Sequence, residues 1–180
     1  MEAIKTAYCP GFTQLIGIAR SGIIGQIRDV EACFTRLANP TSREYVDVSY
    51  GGSFLEFGAY TLLPIFKLLG TDYKEMRIDI IPNEEGNDIY TKIHLFYENG
   101  MMATAKTGVG IKSEGQLVIS GTKGYILAES PWWLTRKFVV RYEDPNIIDG
   151  YEPSFQGDGL RYEIAEFISS INGCGKRSYK

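Results

Sequence analysis

Apolar and polar positions follow two different periods along this chain, and the change between them divides it. Phe12, Leu15, Ile16 and Ala19 keep helical spacing up to a Ser21-Gly22 stop, which predicts a first helix. Gly25 to Ala32 then alternates polar and apolar, the pattern of a half-buried strand. Ahead of both, Ala3 to Tyr8 also alternates and ends at Cys9-Pro10, predicting a short strand that enters a turn. Between Ser53 and Leu69 the apolar residues lie all round the helical wheel, so a buried helix is predicted there. Pro64 predicts a kink or break within it, and Gly70 its end.

Beyond Gly70 the period becomes two. Met76–Ile80 alternates, and Asp88–Tyr97 is joined to Met102–Gly108 through Glu98-Asn99-Gly100, an Asn-Gly hairpin signal. Gln116–Gly121, Gly124–Ala128 and Lys137–Tyr142 read as further strands, with Thr122-Lys123-Gly124 as a tight turn. Leu160, Ile164, Phe167, Ile168 and Ile171 then mark one face of a last helix, closed by Asn172-Gly173. Strands in series with helices gathered elsewhere imply an α+β fold: one predominantly antiparallel, open-faced sheet with helices packed on one face. No repeat or linker interrupts it, and residues 1–180 are expected to form a single domain.

Composition narrows the function classes. Hydrophobic residues make up 44% and charged residues 23% of the chain, which argues against disorder. A net charge of −3 without a Lys/Arg cluster makes nucleic acid and anionic membrane unexpected partners. No apolar run reaches the ~20 residues of a membrane span, and the N-terminus lacks a signal core, so a soluble, cytoplasmic protein is expected. Cys9, Cys33 and Cys174 lack metal-type spacing and read as free thiols. The single histidine, His94, lies mid-strand, which leaves metal and Ser-His chemistry without their usual members. Gly108-Val109-Gly110 is followed by no helix and lacks the setting of a phosphate-binding loop. No metal site or cofactor site is therefore expected within the chain.

One stretch carries chemistry: Gly51-Gly52-Ser53-Phe54-Leu55-Glu56-Phe57-Gly58-Ala59-Tyr60. Glu56 and Tyr60, at i and i+4, share one face of a helix. A phenol there could give a proton to a substrate oxygen, with the carboxylate orienting it and a neighbouring cation lowering its ordinary pKa of ~10. Bland readings stand beside this one. Ser53 and Glu56 fit the S-x-x-E capping box, and Tyr60 fits a packed core tyrosine.

Five segments in order resemble the C-terminal domain of the Gfo/Idh/MocA oxidoreductases, which include glucose–fructose oxidoreductase and the dimeric dihydrodiol dehydrogenases. They are Glu2–Pro10, Ser21–Ile27, the GG-x-x-L-x-x-G-x-Y of the stretch above, Gly121–Tyr125 and Tyr162–Phe167. The resemblance implies a substrate-binding and oligomerisation domain, working beside an N-terminal Rossmann domain that binds NAD or NADP. It implies a sugar, polyol or similar small hydroxylated substrate, and a homo-oligomer formed through the open sheet face. Tyr60 falls where dihydrodiol dehydrogenase-like members carry a proposed acid/base tyrosine, and Glu56 where they usually have aspartate. Lys5 falls near the expected nicotinamide position, while Arg161 and Tyr162 fall where relatives approach the substrate. Ala7 replaces the family's usual arginine.

The resemblance also implies that the dinucleotide-binding domain, its lysine and a terminal helix lie outside these residues, so the chain alone is expected to be inactive. A non-catalytic, sheet-mediated homodimerisation module is the alternative. Trp132-Trp133 reads as filler of a sheet face or oligomer contact before a sugar platform, and Lys67 as a cation at a helix C-terminus.

Overall fold

A computed structural model describes residues 3–173 of the chain. Eight strands form one sheet in the order β2-β3-β4-β1-β5-β6-β7-β8. They are β1 (Ile27–Thr35), β2 (Glu75–Pro82), β3 (Asp88–Phe96), β4 (Met102–Gly108), β5 (Leu117–Gly121), β6 (Gly124–Ala128), β7 (Phe138–Tyr142) and β8 (Ile148–Tyr151). Every pairing is antiparallel except β1 with β4, which run parallel with Val30 opposite Ala103. That one parallel pair needs a long crossover, and α3 (Ser53–Leu69) supplies part of it. Helix α1 (Pro10–Arg20), the short α2 (Arg43–Val46) and α4 (Leu160–Ile171) complete the helices. The fold is the α+β, open-faced sheet that the alternation predicts.

The core lies between the sheet and α1 and α3. Val30, Ala32, Ile93, Leu95, Ala103, Ala105, Leu117, Ile119, Ile126 and Val140 point from the strands toward Phe12, Leu15 and Ile65. The intervening strand positions, among them Glu31, Lys92, His94, Thr104 and Val118, form the opposite face, which carries no helix. His94 sits there with Nδ1 3.1 Å from Thr104 Oγ1. Trp132 is fully buried and donates its indole N–H to the Cys33 carbonyl at 2.8 Å, so it fills the interior rather than a sugar platform.

Four local expectations are corrected. The segment read as a first strand is a 3-10 helix, Lys5–Tyr8. Its amides bond within the segment, Ala7 to Ile4 and Cys9 to Thr6, and Thr6 Oγ1 donates to the Trp133 carbonyl at 2.8 Å. It packs by α1 and α4 and pairs with no strand, so its alternation reflects packing against helices. Pro64 neither kinks the helix into two elements nor ends it, because α3 runs unbroken through it with Pro64 buried.

The same helix is not buried all round, since Leu55 is 64% exposed. Nor is Ser53-Glu56 a capping box: Ser53 is the first helical residue and Gly52 the N-cap. The start of α3 is held instead by Asp88 on β3, whose Oδ2 accepts from the Phe54 amide at 2.9 Å and from Ser53 Oγ at 2.7 Å. The paired glycines make room for this. A Cβ on Gly52, at φ +94°, would lie 2.0 Å from Asp88 Oδ1, and one on Gly51 2.5 Å from the Asp47 carbonyl. The strand β8 and the single turn α2 lack a sequence signal long enough to predict them.

Candidate functional site

Tyr60 projects from α3 toward the end of β1. Its ring meets Phe34 edge-on at 5.3 Å, and Phe34 is stacked on both sides, against Phe57 at 4.2 Å and Trp133 at 3.7 Å. This aromatic group is anchored from three elements, which fixes the phenol without using its hydroxyl. Tyr60 is half-buried, and its hydroxyl bonds to none of the described residues. One turn further on, Pro64 has no N–H to give to the Tyr60 carbonyl, so that oxygen also lacks its helical partner. Burial, with the carboxylate of Glu163 on α4 adding to it, pushes the Tyr60 phenol above its ordinary pKa. At neutral pH the group is a proton donor held in its neutral form.

Glu56 shares the helix face but turns elsewhere. Its carboxylate pairs with Arg43 of α2, and the same guanidinium donates to the Tyr50 carbonyl. Arg43 thus ties α2 and the following loop to the first turns of α3. No hydrogen bond joins Glu56 to Tyr60 among the described residues. Arg36, which follows β1, lies over the Phe57 ring at 5.7 Å and within 3.5 Å of Glu44.

Lys5 and Tyr162 lie on the α4 side. The Lys5 ammonium is 3.8 Å from Asp158, whose other oxygen accepts from the Leu160 amide at the start of α4. The hydroxyl oxygen of Tyr162 accepts from the Gln156 amide at 2.9 Å, and its ring meets Phe155 at 5.9 Å. Arg161 bonds to Gln156. Glu163, whose charge adds to the rise in the Tyr60 pKa, lies in the first turn of α4 next to Tyr162, and Lys5 is tied to Asp158. Lys67 lies near the C-terminal end of α3, its carbonyl taken by Arg20 and its ammonium pKa lowered by burial. Arg43, Glu163 and the Phe34–Trp133 stack were not picked out from the sequence. Glu163 had a signal as a neighbour of Tyr162, and Trp133 as half of the Trp132-Trp133 pair.

A predominantly antiparallel, open-faced sheet with a crossover helix that bears Tyr60 defines an α+β domain. The sequence model of the GFO/IDH/MocA C-terminal domain matches residues 12–127, and the chain belongs to that family. Among curated relatives, trans-1,2-dihydrobenzene-1,2-diol dehydrogenase of Bos taurus is 28% identical over 170 residues, covering 91% of this chain and 50% of its own length. The Sus scrofa enzyme of the same name is 28% identical over 187 residues, with 100% and 54% covered.

The chain spans about half the length of these relatives. Among solved structures, a 3-ketoreductase from Actinomadura kijaniata in complex with TDP-benzene and NADP superposes with a TM-score of 0.78 at 18% identity, over 99% of this chain and 55% of that one. UDP-N-acetylglucosamine 3-dehydrogenase from Acidithiobacillus ferrooxidans gives 0.72 at 15% identity, over 95% and 51%. At these identities the solved structures support the fold alone.

Proposed function

We propose that this chain is the substrate-binding and oligomerisation domain of a longer NAD(P)-dependent oxidoreductase that acts on a sugar, polyol or similar small hydroxylated substrate. The observation that carries the reading is the Tyr60 hydroxyl, half-buried, neutral and without a partner among the described residues, at the edge of an aromatic stack. Such a group fits an oxygen that approaches from outside the chain. Family membership, and a chain spanning about half of its relatives, support a second domain that brings the nicotinamide.

When bound, the nicotinamide supplies hydride exchange at the reacting carbon. Tyr60 gives a proton to the substrate oxygen in the reductive direction and takes it back in the oxidative one. Its own surroundings raise its pKa, so the cation that makes it acidic enough belongs to the other domain or to the cofactor. Glu56 acts at most indirectly, since its carboxylate is paired with Arg43 and fixes α2 against the first turns of α3 that carry Tyr60. Lys5 and Tyr162, held by Asp158 and Gln156 at the start of α4, are the residues assigned to approach the substrate or nicotinamide. The isolated chain is inactive on this reading. Titration of NAD(H) and NADP(H) into it should leave its melting temperature unmoved, and a saturable rise would contradict the assignment.

A second reading, a non-catalytic module that pairs through its open face, is favoured by one feature. Val118, Leu127 and Val139 are half-exposed along the helix-free face, flanked by Phe96 and Met102, which are 37% and 48% exposed. Sedimentation of the chain and of Leu127→Lys tests it, with a dimer expected for the first and a monomer for the second. A monomeric parent chain would remove the sheet-mediated reading.

A further inference from the structure

The turn between β2 and β3 holds both segments that carry the candidate site. At its base, the side chains of Asn83 and Asn87 both donate to the Tyr45 carbonyl, at 2.8 and 2.9 Å. Asn87 is buried, and its amide donates to Asn83 Oδ1 at 2.8 Å, so the turn is a closed unit. Tyr45 lies in α2, two residues after the Arg43 that pairs with Glu56. The next residue, Asp88, reaches the other segment. Its Oδ2 accepts from Ser53 Oγ (2.7 Å), the Phe54 amide (2.9 Å) and Thr91 Oγ1 (2.7 Å), and Ser53 Oγ is also 2.9 Å from Thr107 Oγ1.

We infer that Asp88 is a positioning residue for Tyr60: it fastens the first turn of α3 to β3 and β4, and so sets where the phenol stands against Phe34. A carboxylate at a helix N-terminus faces the positive end of the helix and takes charge-assisted bonds from its free amides. Ser53 Oγ has Thr107 Oγ1 as a second partner, but losing Asp88 leaves the Phe54 amide at the helix start without its acceptor. An alanine there removes the one oxygen that accepts from Ser53, the Phe54 amide and Thr91, and frees the first turn of α3 to shift. Because α3 is continuous from Ser53 to Leu69, a shift of its first turn is carried to Tyr60, seven residues on.

The catalytic consequence of this inference rests on the proposed role of Tyr60, but the positional one does not. Ring-labelled tyrosine NMR of the 180-residue chain reads the position directly, with the Tyr60 signal assigned by its loss in Tyr60→Phe. Asp88→Ala should move that signal by more than its linewidth while leaving Tyr125 and Tyr142, on β6 and β7, in place. Thr91→Val removes one bond to Asp88 and keeps the helix anchored, and should move the Tyr60 signal less, in the same direction. A Tyr60 signal unmoved in Asp88→Ala or in Thr91→Val, or tyrosine signals that all move together in Asp88→Ala, would overturn the inference.

In the proposed longer enzyme, Asp88→Ala should lower kcat about tenfold with KM within about twofold, and add nothing in a Tyr60→Phe background. Additive losses would overturn a role through Tyr60. Intact turnover in Tyr60→Phe alone would instead refute the proposed function and leave the NMR result standing.

Discussion

The carboxylate of Glu56 is held by Arg43, thirteen residues earlier in the chain, and not by the start of its own helix. The pair is unequally exposed, with the Arg43 side chain 53% and the Glu56 side chain 19% accessible, so solvent screens it from one side. Arg43→Ala and Glu56→Gln should each cost little stability, with a coupling energy of about 0.5–1 kcal/mol in a double-mutant cycle by urea denaturation. A coupling of several kcal/mol would mean that the pair is far better shielded than its geometry indicates.

Asp29 and Glu31 lie two residues apart on the open face of β1. Burial, then the neighbouring Glu31 carboxylate, push the Asp29 carboxyl up to about 6. A carboxyl whose pKa is raised by folding stabilises the fold while protonated, and that contribution is lost as pH rises from about 4 through 6. Asp29→Asn should therefore make the chain more stable at pH 7, by about 1 kcal/mol after allowance for solvent screening, and flatten its stability between pH 4 and 7. A variant that is less stable at pH 7 would contradict the direction of the shift.

Trp132 fills the interior and its N–H is committed to the Cys33 carbonyl. Trp132→Phe leaves that carbonyl without its donor and opens a void, and should cost about 2–4 kcal/mol by denaturant melts. A loss below ~1 kcal/mol would place the residue outside the core.

Cys9 is fully buried, and burial pushes its thiol up to about 11. Alkylation at pH 8 followed by peptide mapping should find Cys9 unmodified in the native chain and modified once urea unfolds it. Rapid native labelling of Cys9 would contradict its burial.

Much of the architecture was legible from period alone. The strands from Glu75 to Tyr142 and helices α1 and α4 follow from alternation and 3.6-residue spacing. In β3 to β7 and α1 the period marks a face in the core, whereas every residue of β2 and the apolar face of α4 are exposed. The errors share a cause. Ala3–Tyr8 alternates, but packs against helices with no strand edge to pair with. Ser53 and Glu56 have the spacing of a capping box, yet the cap comes from Asp88, 35 residues away, and Glu56 answers to Arg43 in a turn too short to signal itself. Long-range polar partners leave no periodic trace. At the site, Tyr60 and Glu56 were found by spacing and by resemblance, whereas Phe34, Trp133 and Glu163 around Tyr60 needed the fold to bring them together. Cys174 and the segment beyond Gly173 lie outside the described residues.

The central claim is that the Tyr60 hydroxyl moves the proton. Turnover of the Tyr60→Phe variant of the longer enzyme tests it most directly, since the change removes one oxygen that bonds to none of the described residues and keeps the ring against Phe34. The expected result is a fall in kcat of roughly 10²–10⁴ with an unchanged melting temperature. Turnover equal to that of the parent enzyme would contradict it.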